Sequence, residues 1–89
     1  MSCLLITYDL NQPGQNYPEL YKKIESLGES WHDLDSTWLV STSQSLSQAT
    51  GAVAAAIDST DSLLVIGVTG DSYSGRLTQA AWDWLAKHL

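Results

Sequence analysis

Between Cys3 and Leu27 the apolar residues of this chain change their period. Leu4, Ile6 and Tyr8 alternate with Leu5, Thr7 and Asp9, which predicts a strand over about residues 3 to 9. Tyr17, Leu20, Ile24 and Leu27 then recur at helical spacing. The switch falls at Asn11-Gln12-Pro13-Gly14, a turn sequence, with Asn16 as the expected helix cap, Pro18 in the first turn and Glu19 three residues after the cap. Gly28 is expected to end the helix. A strand followed at once by an amphipathic helix is the opening of a β-α-β unit.

The rest of the chain completes the pattern. "SWHDLDSTWLVST" predicts two strands, about 30 to 34 and 37 to 42, with a tight turn near Asp35-Ser36. A second helix is expected over about 45 to 57, burying Leu46, Ala49, Val53 and Ile57, with Gly51 costing roughly 1 kcal/mol relative to Ala. "SLLVIGV", residues 62 to 68, is a continuous apolar run suited to a well-covered strand. After "TGDSYSGR", a last helix over about 77 to 88 carries Leu77, Ala81, Trp84, Leu85 and His88 on one side. The order β-α-β-β-α-β plus a terminal helix predicts a single α+β domain over residues 1–89, of ferredoxin-like arrangement with an antiparallel sheet. Both main helices should cover one sheet face. Leu5, Leu39 and some of the tryptophans then need the last helix or a second subunit over the other face.

Composition limits what such a domain can do. With 44% hydrophobic and 16% charged residues the chain is globular rather than disordered. No apolar run approaches the roughly 20 residues that span a bilayer. No basic region precedes the first apolar segment, so a cytoplasmic location is expected. The single Cys3 cannot form an internal disulfide and reads as a strand residue. Four Lys plus Arg against ten Asp plus Glu give a net charge of -6. Lys22, Lys23, Arg76 and Lys87 are too few and too dispersed to make the basic stripe that long nucleic acids require. A divalent metal or a small ligand relaxes that objection.

The predicted topology brings the end of the first strand, the hairpin and the start of the fourth strand to one sheet edge. Asp9, Asp35 and Asp61 should gather there, with Asp33 and Asp58 near. Clustered carboxylates either stay solvated or hold a hard cation such as Mg²⁺, which polarises a phosphodiester and activates water. Asp also ends strands and fills turns for local hydrogen-bonding reasons. His32 has the titration range of a general acid or base, or is a half-buried strand residue satisfied by a neighbour. His88 reads as a helix-end cation meeting the dipole. "TGDSYSGR" has glycines and Arg76 but lacks a P-loop ending, and it leaves the sheet roughly 20 Å from Asp9. Trp31, Trp38, Trp82 and Trp84 suit core and interface packing, or base stacking.

"LLITYDLNQPGQNYPELYKKIESLG" followed by "WHDLDSTWLVST" resembles small bacterial and phage proteins of the SinR family, which are similar to the CRISPR-associated Cas two family. The resemblance runs along nearly the whole chain, including "LLVIGVTG" and "WDWLAKHL". It rests on Tyr8-Asp9-Leu10 after the first strand and on His32 with Asp35-Ser36-Thr37-Trp38 in the hairpin. It implies a ferredoxin-like homodimer and, at Asp9, the metal-binding carboxylate of a ribonuclease facing its copy across the dimer axis. Asp35 and Ser36 would lie nearby, with Tyr8 or His32 assisting. Two departures stand out. The chain ends in a helix where Cas two has an exchanging strand, and it has no arginine set for gripping DNA. The expectation is therefore a metal-dependent endoribonuclease acting on short or structured RNA. The alternative is a non-catalytic dimer that binds a nucleotide, a short oligonucleotide or a protein partner in phage or host defence.

Overall fold

The computed structural model describes residues 1–10 and 17–89. The expected turn at Asn11-Gln12-Pro13-Gly14 and the Asn16 cap lie outside the described residues. Four strands and three helices follow in the order β1 (Ser2–Asp9), α1 (Tyr17–Glu25), β2 (Gly28–Leu34), β3 (Thr37–Thr42), α2 (Leu46–Ala54), β4 (Ser62–Gly67) and α3 (Gln79–His88). The sheet order is β2-β3-β1-β4, antiparallel throughout. The chain therefore has the ferredoxin-like arrangement with a C-terminal helix added.

The alternation of β1 decides both sides of the sheet. Leu4, Ile6 and Tyr8 enter a core with Leu20, Ile24 and Leu27 from the α1 side, Ala49 and Val53 of α2, and Trp38 and Val40 of β3. Cys3 enters the second core, with Trp31, Leu39, and Ala81 and Leu85 of α3, and Leu5 packs against it. Cross-strand pairs carry the second face across the sheet: Leu5 opposes Leu39 and Ile66, and Thr7 opposes Thr37 and Leu64. We call these the two-helix face and the α3 face.

Cover on the α3 face is incomplete. α3 lies toward β2, and its last turn is tied there by His88 Nε2, 2.9 Å from Glu29 Oε2. His88 also lies against Trp84, so it joins sheet to helix rather than only meeting the helix dipole. On the far side Leu64 is 53% and Ile66 44% exposed. The run "SLLVIGV" is thus an edge strand, half-covered, rather than the well-covered strand its hydrophobicity predicts.

Several boundaries move for local reasons. α1 ends at Glu25, and Gly28 is the first residue of β2 rather than a helix terminator. At φ +159° its backbone lies against β3, where a Cβ would come 2.0 Å from the Ser41 carbonyl oxygen. α2 begins after Ser45, whose hydroxyl accepts from Gln48 N while the Gln48 side chain accepts from Ser45 N, a complete capping box. α3 starts at Gln79 because Thr78 Oγ1 accepts from Ala81 N. Tyr17 and Leu46, expected in the buried stripes, are exposed at the first turns of their helices. Between Trp31↔Leu39 and Leu34↔Thr37, β2 advances three residues while β3 advances two. The one-residue bulge returns Leu34 to the α3 face, to which Trp31 also belongs.

Two glycines give opposite expectations. Gly28→Ala should lower stability by about 1–3 kcal/mol, because backbone must move to admit the methyl. Gly51→Ala, with nothing within 4 Å of its added Cβ inside α2, should raise it by roughly 0.5–1 kcal/mol. Urea denaturation of both variants reads these signs; a neutral Gly28→Ala would contradict the close strand approach.

Candidate functional site

Asp9 is the last residue of β1, exposed, and opposite Ser62 of β4. Strand alternation sets it on the α3 face with Leu5 and Thr7. An open depression of about 240 Å³ includes Thr7, Tyr8, Asp9, Ser62, Leu63 and Leu64. The predicted edge forms as expected from topology: Tyr8 N donates to the Ser36 carbonyl at 3.2 Å, so the end of β1 abuts the hairpin. Asp61 precedes Ser62 on the same side.

The carboxylates at that edge are nevertheless used in different ways. Asp61 Oδ2 accepts from Asp58 N at 2.8 Å, and Asp58 Oδ1 accepts from Thr60 N at 3.2 Å. Those two acids build the turn into β4, the local role that Asp commonly fills. Asp33 and Asp35 are exposed in the hairpin. Among the described residues no group of three or more His, Cys, Asp or Glu side chains lies together in a way that could hold a metal ion. The sheet edge gathers the backbone positions but does not aim the acids at one point.

Tyr8 and His32 belong to the other face. Tyr8 is 6% exposed, and its hydroxyl accepts from Trp38 Nε1 at 3.2 Å. Burial, opposed by that hydrogen bond, pushes the phenol up to about 12, with Tyr21 and Tyr17 adding to the rise. At neutral pH it stays protonated and cannot serve as a base. His32 stacks on Trp38 with ring centroids 3.9 Å apart and planes 10° apart, and Tyr21 meets both rings edge-on. Its Nε2 lies 2.6 Å from the Asp35 carbonyl oxygen. A carbonyl only accepts, so Nε2 carries the proton and Nδ1 is the nitrogen left for proton exchange. His32 is thus the satisfied, half-buried residue of the two readings open to it. The bulge explains the division, since His32 falls before it and Leu34 after it.

A larger cleft, missed from sequence, lies on the α3 face. It measures about 320 Å³ and runs between α3, the 71–74 segment and the sheet, reaching Leu34 and Thr37 of the hairpin. The "TGDSYSGR" segment does start at the far end of the sheet, where Cys3 N donates to Thr69 Oγ1 at 2.8 Å. Gly70, at φ +76°, then turns the chain, with its N–H on the Leu89 carbonyl at 3.0 Å. Asp71 to Ser74 come to line the cleft beside Trp82. Tyr73 stacks on Trp82 at 6.1 Å. The position of α3 makes this run of small and turn-forming residues a wall of the cleft. At the hairpin end Thr37 Oγ1 meets Thr7 Oγ1 at 3.2 Å, so the cleft and the Asp9 depression are neighbours.

The Tyr8 phenol has a measurable consequence. Raised in the folded state from about 10, it leaves the native protein binding more protons than the unfolded chain between pH 10 and about 12. Stability from this group is complete below pH 10 and declines as pH rises through that window. Absorbance titration of phenolate should show one tyrosine of four ionising near 12, and Tyr8→Phe should delete that step. Comparison of the chain with protein-family models, with curated proteins and with solved structures returned no match.

Proposed function

We propose that this chain is a Cas-two-like homodimer that acts on short or structured RNA as a metal-dependent endoribonuclease, with Asp9 holding the cation. The supporting observation is the position of Asp9, exposed at the end of the central strand on the half of the α3 face that no helix covers. Leu64 and Ile66 make that half apolar, which suits contact with a second copy. Mg²⁺ takes one or two carboxylates and completes its shell with water and substrate phosphates. An exposed carboxylate with the Ser62 and Thr7 hydroxyls on the same depression offers oxygen ligands of that kind, beside Leu63 and Leu64. The cation, when bound, polarises the phosphodiester and activates water. Asp9 supplies its charge, and Asp35 and Ser36, at the abutting hairpin, stand as the additional oxygen donors.

The second reading is a non-catalytic dimeric module that binds a nucleotide, a short oligonucleotide or a protein partner in phage or host defence. One observation favours it: neither candidate base is presented to Asp9, since Tyr8 is buried and His32 stacks on the opposite face. In the nuclease reading Asp9 would hold a cation that would have to activate the water without either side chain as base.

Labelled RNA incubated with Mg²⁺, Mn²⁺ or EDTA separates the two. The nuclease reading expects metal-dependent cleavage that falls at least about 100-fold in Asp9→Asn and is unchanged in Tyr8→Phe. Cleavage surviving Asp9→Asn, or none at all, leaves the binding module. Independently, Leu64→Glu with Ile66→Glu should convert a dimer to a folded monomer by sedimentation, because charge on an apolar contact is costly. A wild-type protein that already sediments as a monomer would remove the dimer from either reading.

A further inference from the structure

We infer that the cleft between α3, the 71–74 segment and the sheet is a nucleobase site, selecting guanine. The inference rests on the reading of RNA as the ligand class and specifies what in the RNA is recognised. Its walls are chemically uneven. Leu39 and Leu85 make an apolar floor, Tyr73 and Trp82 give stacked aromatic surface, and among the described residues Asp71 is the only charged side chain on the lining. Trp31 forms part of the wall, and its indole N–H is buried with no acceptor among the described residues. Buried donors in native structures are nearly always paired, so an unpaired one beside a cleft is a place where an acceptor is wanted.

These features restrict the occupant. An alkyl chain would use the floor but leave Asp71 and the Trp31 N–H without a role. A phosphate or carboxylate would meet Asp71 and a protein of net charge -6. A flat neutral ring carrying both donors and acceptors suits the walls: it stacks on exposed aromatic surface, gives N–H groups to a carboxylate and, with a small shift of the wall that seals it, brings an acceptor to the buried indole. Guanine alone among the four RNA bases presents two adjacent N–H donors on its pairing edge, matching the two oxygens of Asp71. The site volume of about 320 Å³ admits a purine with part of its ribose. Recognition of the base also explains how an acidic protein without a basic stripe handles RNA at all. Through the Thr7–Thr37 contact the cleft adjoins the Asp9 depression, so a base held in one leaves its phosphate directed toward the other.

Nucleosides, which carry no phosphate and need no metal, test this directly. In ¹H–¹⁵N spectra the four tryptophan indoles give separate resonances, with Trp31 assigned by its loss in Trp31→Phe. Guanosine should shift the Trp31 and Trp82 indole signals saturably, with a Kd at or below about 1 mM, and more tightly than cytidine or uridine. Asp71→Asn, at an exposed position, should weaken guanosine by about 5-fold or more. No shift with any nucleoside, or binding indifferent to Asp71→Asn, overturns the site. Asp9→Asn keeps this separate from the nuclease reading. Cleavage with unmoved indoles removes the base site alone, and nucleoside binding without cleavage removes the nuclease alone.

Discussion

β1 is buried from both sides, and the rest of the molecule follows from how each side is covered. Its even residues Leu4, Ile6 and Tyr8 and its odd residues Cys3 and Leu5 are apolar, and Ile6 has no exposed surface. The two-helix face is closed by α1 and α2. The α3 face depends on a ten-residue helix held at one end by Thr78 and tied at the other by His88 and Glu29. A single helix about 10–12 Å across cannot roof four strands whose outer axes stand about 14 Å apart. It covers the β2 side and leaves β4 open. The cleft and the bare Leu64–Ile66 surface are two results of the same shortfall.

The one-residue bulge in β2 has consequences beyond the hairpin. A regular strand would set His32 and Leu34 on the same face. The extra residue sends Leu34 to the cleft and leaves His32 stacked on Trp38 under Tyr21. The motif that joins His32 to Asp35-Ser36-Thr37-Trp38 therefore divides by role. His32, Trp38 and Tyr8 lock the two-helix core with ring stacking and one buried hydrogen bond, and Thr37 belongs to the other surface.

The order and type of all seven elements were legible in the sequence, because hydrophobic period is a local signal that the final packing did not override. Asp9 at the end of the first strand and the Asp35-Ser36 turn were legible for the same reason. What remained hidden depended on contacts far apart in sequence. Gly28 looks like a helix terminator until the Ser41 carbonyl is placed beside it. "SLLVIGV" looks central until the pairing puts β4 at the edge. The cleft had no sequence signal, since its walls come from β1, the hairpin, the 71–74 segment and α3 together.

An acidic surface limits the ways in which the proposed RNA ligand could be held. Neutralising phosphates with lysine and arginine gives affinity that grows with the length of nucleic acid covered. With four such residues scattered over its length, this chain has little of that term. On the proposed reading two sources would remain: a divalent cation, which would invert the local charge at Asp9, and the neutral bases, whose stacking and edge hydrogen bonds are indifferent to net charge. Both act on one or a few nucleotides rather than on a long backbone. A protein of the proposed kind would discriminate by the base it holds, and long duplexes, whose bases are stacked away and whose phosphates face outward, would be repelled by its net negative charge.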